Sequence, residues 1–165
     1  MDFKIKETRA EYNITQKEMS EILEIPLRTI ENWESGKRKP SKWVEKLIVD
    51  NLKIHPHNEH GIITDKKGYY TVKQIRELLL PLTFEYDINK ITLFGSYSKG
   101  LEDDGSDIDL VVDGGIKGID FFGLLEDVTN LFVKQVDLIH FSQIEKDSYT
   151  YKEVMKGMII YERKG

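Results

Sequence analysis

Two aspartates separated by one residue, Asp107 and Asp109, open the apolar run "DIDLVV". On a β-strand side chains alternate, so both carboxylates project from one face. Ile108 and Leu110 then project from the other, into a core. Two ionised carboxylates about 7 Å apart along a strand repel each other. A divalent cation removes that penalty. Hard oxygen ligands of this kind suit Mg²⁺, which keeps several waters and also binds substrate phosphates. A third carboxylate, Asp137 in "VDLIH", lies between Val136 and Leu138 and projects opposite to that apolar pair. If its strand pairs with the first, the three aspartates can hold two metal ions and support an in-line displacement at phosphorus.

A second set of residues precedes them. Gly95-Ser96 follows "KITLF", which reads as a strand. Glycine permits close backbone approach, and serine brings a hydroxyl. At the start of a short helix their N–H groups face an anion. Lys99 adds positive charge near the phosphates, and Gly100 lets the chain leave the short helix. Glu102, Asp103 and Asp104 read as a solvated loop. Asp87, Asp113, Asp120 and Asp127 read as caps or surface, His140 as a satisfied sheet-edge histidine, and Tyr97 as packing.

These residues need a scaffold. Thr71 and Gln74 form a capping box opening "VKQIRELLLPLTFEY", which Pro81 should kink or split. A strand, a turn with a short helix, and the strand "DIDLVV" follow. Then come the helix "GIDFFGLLEDVTNLF" and a third strand, "KQVDLIHF". Ser142 is the expected start of a last helix, and "MIIYE" closes the chain as a short apolar segment. Such alternation predicts helices packed on one small mixed sheet.

The first half is different. "FKIKETRAEYN" places apolar Phe3, Ile5 and Ala10 among charges and stops near Asn13. Thr15 and Glu18 make a capping box for "QKEMSEIL", with Met19, Ile22 and Leu23 on one face. Pro26 suits the first turn of "LRTIENWES", which Gly36 terminates. Ser41 caps "KWVEKLIVDNLKI", with Val44, Leu47, Ile48 and Leu52 facing one way. Two short helices joined by a tight turn and followed by "GKRKP" outline a DNA-binding helix-turn-helix. The second helix would meet base edges while Lys37, Arg38, Lys39 and Lys42 attract phosphate. Trp33 and Trp43 are expected in the core.

The chain has 165 residues, no cysteine and a net charge of −5. Disulfides, thiolate metal sites and cysteine nucleophiles are thereby excluded. No apolar run approaches the roughly 20 residues of a membrane helix, and the first residues lack the apolar stretch of a secretory signal. A cytoplasmic location is expected. Residues 1–57 carry 11 Lys/Arg against 10 Asp/Glu, and residues 58–165 carry 13 against 19, as befits two domains with different tasks. The expected architecture is α+β: an all-α helix-turn-helix bundle over 1–57, a linker over 58–69, and an α/β domain over 70–165. His55, His57 and His60 near the linker read as solvated, not as metal ligands.

Two resemblances sharpen these expectations. "NITQKEMSEILEIPLRTIENWESGKRKPS" resembles the Cro/repressor-type helix-turn-helix family. That resemblance implies DNA contacts from Gln16, Arg28, Thr29, Asn32, Lys37 and Arg38, with Ile30 and Trp33 on the core side. Glu24 stands where that family often has glycine, so a left-handed residue is expected there. Leu27 offers no hydrogen bond, which leaves base readout to Arg28 and Asn32.

Gly95-Ser96, ten intervening residues, then Asp107-Ile108-Asp109 resembles the signature of the DNA polymerase beta-like nucleotidyltransferases. Its context, "LFGSYSKG", "SDIDLVV" and "VDLI", resembles the minimal nucleotidyltransferases over about residues 70–165. Lys99 departs from the usual arginine, keeping the charge but losing the bidentate fork. The fusion of the two is similar to the antitoxins of HEPN/MNT toxin–antitoxin pairs. The resemblance implies transfer of AMP from ATP to a tyrosine of a HEPN ribonuclease toxin. It assigns catalysis and Mg²⁺ to Asp107, Asp109 and Asp137, nucleotide binding to Gly95, Ser96 and Lys99, and operator binding to the first half. Oligomerisation is compatible with it. Two alternatives stay open: a nucleotidyltransferase acting on RNA 3′ ends or a small molecule, and a non-enzymatic DNA-binding protein that masks a toxin.

Overall fold

The computed structural model describes residues 4–165, so the expectation for Phe3 lies outside the described residues. The chain divides into two compact units between Thr64 and Asp65. In the first, four helices follow one another: α1 (Ile5–Glu11), α2 (Gln16–Leu23), α3 (Leu27–Glu34) and α4 (Lys42–Ile54). Thr15 accepts from the Glu18 amide and the Glu18 carboxylate accepts from the Thr15 amide, so the capping box starts α2. Glu24 ends α2 in the left-handed region at φ 54°, a conformation that strains a non-glycine residue and fixes the tight turn into α3. Ile5, Ile14, Met19, Ile30, Ile48 and Leu52 form the core, with Trp33 and Val44 packed at its edge. Replacing Thr15 by Ala should lower the stability of this unit by about 1 kcal/mol, read from its thermal unfolding.

Three expectations are corrected here. Trp43 is 69% exposed and Leu47 is 47% exposed, so neither belongs to the core. Thirteen helical residues present only a narrow buried stripe, and Ile48 and Leu52 fill it. Part of the segment read as a linker is a small hairpin, β1 (His57–Asn58) paired with β2 (Gly61–Ile62). Ile62 and Ile63 are buried, and the His57 ring meets Tyr12 edge-on, so this hairpin belongs to the helical unit.

The second unit starts with α5 (Val72–Leu79), opened by the Thr71–Gln74 capping box. Pro81 separates it from α6 (Leu82–Glu85). Then come β3 (Ile88–Phe94), α7 (Gly95–Ser98), β4 (Ile108–Gly114), α8 (Ile119–Leu131), β5 (Val136–His140), α9 (Tyr149–Met155) and β6 (Met158–Glu162). The strands form one mixed sheet in the order β5-β4-β3-β6. β4 and β5 run parallel, and the other pairs are antiparallel. Ile108, Leu93, Leu110 and Val112 are buried, and Leu79, Leu82, Leu124 and Val128 of α5, α6 and α8 surround the same apolar face. The segment "MIIYE" is thus the fourth strand.

The last helix begins later than expected. Ser142 sits inside a short 3-10 turn, Phe141–Gln143, capped by the His140 ring. Ser148, not Ser142, caps α9 by accepting from the Tyr151 amide. His140 Nδ1 meets the Ser142 hydroxyl at 2.7 Å, whereas its Nε2 is buried without a hydrogen-bond partner. The imidazole is therefore only half satisfied. Tyr97 is 1% exposed and packs as expected, and burial pushes its hydroxyl pKa up to about 12.

Candidate active site

The sheet aligns the three aspartates. Asp109 is the register partner of Asp137 across the parallel β4–β5 pair and of Phe94 across the antiparallel β3–β4 pair. Register partners point to the same face, and neighbouring strands lie about 4.8 Å apart. Asp107 sits one residue before β4 and returns to that face by alternation. Asp107 and Asp137 are exposed, and Asp109 is half-buried between them. Burial pushes the Asp109 carboxyl above the usual carboxylate range, and the nearby charges of Asp137 and Asp107 push it further.

Gly95 explains why glycine follows β3. Its φ is +69°, and a Cβ built there would overlap the Asp109 carboxylate. The turn can lie against the acid only because position 95 has no side chain. Beside it is a cleft of about 410 Å³ whose walls include Gly95, Ser96, Lys99 and Asp109. Asp107 and Asp137 are not among its lining residues. Four of the residues expected from sequence therefore meet in one cavity, and the remaining two flank Asp109 on the sheet face.

Lys99 has a partner that sequence reasoning missed. Its ammonium donates to Glu153 of α9 at 2.5 Å, and this pairing raises the lysine pKa and lowers that of the glutamate. Leu101, Tyr149 and Thr150 also line the cleft. Placing the last helix at Ser142 hid the α9 residues. The signal was the capping serine before "YTYKEVM", which puts Tyr149 and Glu153 one turn apart on one face.

Lys134 was also missed, and nothing in "FVKQVD" marks it. It is 5% exposed, and its ammonium donates to the Asp104 carbonyl at 2.7 Å and the Asp65 carbonyl at 3.4 Å. The Gly68 amide donates to the Asp104 carboxylate at 2.8 Å. The acidic loop read as merely solvated is thus tied down just before Asp107.

Among the described residues, no group of three or more His, Asp or Glu side chains stands closely enough to hold a metal ion as placed. The chemistry of the donor set nevertheless fits Mg²⁺. The donors are hard carboxylates sharing one face, with a half-buried member whose charge is disfavoured until a cation neutralises it.

In the first unit, Leu27 and Arg28 of α3 are exposed, as are Lys37 and Arg38 of the following loop. Thr29 and Asn32 are partly exposed. The Arg38 amide donates to the Asn32 carbonyl at 3.2 Å, fastening the basic loop to the helix. Gln16 is engaged within the unit: its amide donates to Glu34 at 2.8 Å, and Arg9 donates to the same carboxylate at 2.7 Å.

A mixed four-stranded sheet with a Gly-Ser turn against an Asp-x-Asp strand defines a nucleotidyltransferase domain. The family described as Polymerase beta, Nucleotidyltransferase matches residues 74–165, and the chain belongs to it. A helix-turn-helix family matches residues 5–42. Among solved structures, a toxin–antitoxin with AMP-PNP is 24% identical with a TM-score of 0.45, covering 57% of this chain and 75% of that one. A mutant of the toxin–antitoxin MntA–HpeT is 22% identical with a TM-score of 0.45, over the same shares. No curated protein matches the chain. Among the described residues no helix is long and apolar enough to cross a membrane.

Proposed function

We propose that this protein is a cytoplasmic antitoxin that transfers AMP from ATP to a tyrosine hydroxyl of a HEPN-type ribonuclease toxin and represses its own operon. The observation that carries the transferase reading is the alignment of Asp109 with Asp137, with Gly95 against the Asp109 carboxylate. The toxin partner and the tyrosine acceptor rest on the resemblance of the fused helix-turn-helix and nucleotidyltransferase sequences to the HEPN/MNT antitoxins.

Asp107, Asp109 and Asp137 would hold Mg²⁺. When bound, the metal neutralises phosphate charge and stabilises the attacking and leaving oxygens. The Gly95–Ser96 turn and the Ser96 hydroxyl steady the pyrophosphate portion of ATP. Asp137 receives the proton of the incoming tyrosine hydroxyl. The phenolic oxygen then attacks the α-phosphorus in line, forming a phosphodiester as the bond to pyrophosphate breaks. The test is the intact mass of the adjacent gene product after incubation with this protein, ATP and Mg²⁺. Addition of one or more AMP groups is expected, and an unchanged mass would refute the acceptor.

The exposed α3 surface and its basic loop support operator binding by the first unit. Arg28→Ala should weaken operator binding by about 1–3 kcal/mol and leave AMP transfer unchanged. A gel-shift titration beside a transfer assay measures both, and joint loss would mean that the two activities are not separable.

A further inference from the structure

The cleft beside Asp109 has two chemically different sets of walls. One is mainly polar: Gly95, Ser96 and Asp109, with the partly buried Phe94 beside them. The other carries Leu101 and Tyr149, which are 69% and 78% exposed. A large aromatic ring left open to solvent on the rim of a cavity has an unused face. Tyr149 is the first residue of α9, and Glu153 follows it by one helical turn on the same side. Glu153 accepts a hydrogen bond from the Lys99 ammonium. The Lys99–Glu153 pair therefore joins the end of α7 to the second turn of α9, one turn after Tyr149.

We infer that Tyr149, with Leu101, forms a nucleobase subsite on which the base of the bound nucleoside triphosphate stacks. The inference rests on the nucleotidyl-transfer reading of the cleft and adds where the base goes. The polar turn and the carboxylate face suit the phosphates and their metal. The flat face of a base finds little open surface there, whereas the more exposed Tyr149 ring and Leu101 offer it one. Stacking on an aromatic side chain is favourable for every base, because each has a π-face. Thr150 lines the cleft beside Tyr149, and stacking on Tyr149 and Leu101 is the main contact that this wall offers a base. The subsite therefore selects on stacking area: ATP and GTP bind alike, and pyrimidine triphosphates bind more weakly.

Calorimetric titration with Mg²⁺ present tests this, with ATP and inorganic tripolyphosphate as ligands for wild type, Tyr149→Ala and Tyr149→Phe. Tyr149→Ala should weaken ATP about tenfold and leave tripolyphosphate unchanged, while Tyr149→Phe keeps the wild-type ATP affinity. Wild-type ATP affinity in Tyr149→Ala would overturn the subsite alone and return the exposed ring to some other role, such as contact with a protein partner. Equal weakening of both ligands would also overturn it, placing Tyr149 in support of the phosphate end or the fold. A wild-type protein that binds neither ligand would overturn the transferase reading itself and the subsite with it.

Discussion

Asp109→Asn should cut nucleotidyl transfer by more than about 100-fold while the protein keeps its fold. Asparagine matches the shape of aspartate, and position 109 is half-buried at a sheet face, so little packing is lost. The substitution removes the central one of the three carboxylates. Loss of an outer partner of a metal site typically costs 10–100-fold, so loss of a ligand should exceed about 100-fold. Radiolabelled AMP transfer beside circular dichroism separates activity from folding.

The same residue governs the pH dependence. The raised pKa means that the folded protein takes up a proton on Asp109 more readily than the unfolded chain does. Asp109 thus contributes stability that is fully present below the unfolded carboxylate pKa and is lost as pH rises through the raised folded value. Without metal, Asp109→Asn should therefore be more stable than wild type at neutral pH. Thermal melts should show that difference vanishing in acid. Transfer should respond the opposite way and fall as pH drops through that raised value, because only the ionised carboxylate can hold a cation.

Gly95→Val is the second large effect. Two separate penalties act on it: a φ of +69°, which β-branched residues scarcely adopt, and a Cβ that overlaps the Asp109 carboxylate. Either the turn leaves the acid or the acid leaves its place on the sheet. Transfer should fall by at least about 100-fold, since even displacements near 1 Å have effects of that size. Gly100→Ala is the internal control. It has a similar φ, +64°, but nothing within 4 Å of its added carbon. It should lose some stability to strain and retain most of its transfer activity. Equal loss of transfer in both variants would show that backbone strain, not crowding of Asp109, is what position 95 controls.

Much of this arrangement was legible in the sequence because it follows from local rules. Strand alternation puts Asp107 and Asp109 on one face whatever the tertiary structure, and the Thr15 and Thr71 capping boxes announce α2 and α5 directly. The split at Pro81 follows from a missing N–H. What was not legible depends on contacts distant along the chain. Lys99 finds Glu153 54 residues away, and Lys134 reaches Asp65 and Asp104 across 69 and 30 residues. Trp43 was misplaced because size and apolarity favour burial only when a neighbour stands opposite, and α4 meets its neighbours along a narrower stripe. The hairpin at His57–Ile62 was hidden because two-residue strands carry no period.

The central claim is that Asp107, Asp109 and Asp137 act together on one cation-bound nucleotide beside the Gly95–Ser96 turn. Mn²⁺ titration followed by electron paramagnetic resonance, with a non-hydrolysable ATP analogue present, tests it most directly. Wild type should bind Mn²⁺ in a nucleotide-dependent manner, and Asp109→Asn should lose that binding. Nucleotide-dependent Mn²⁺ binding that survives replacement of all three aspartates by asparagine would contradict the account.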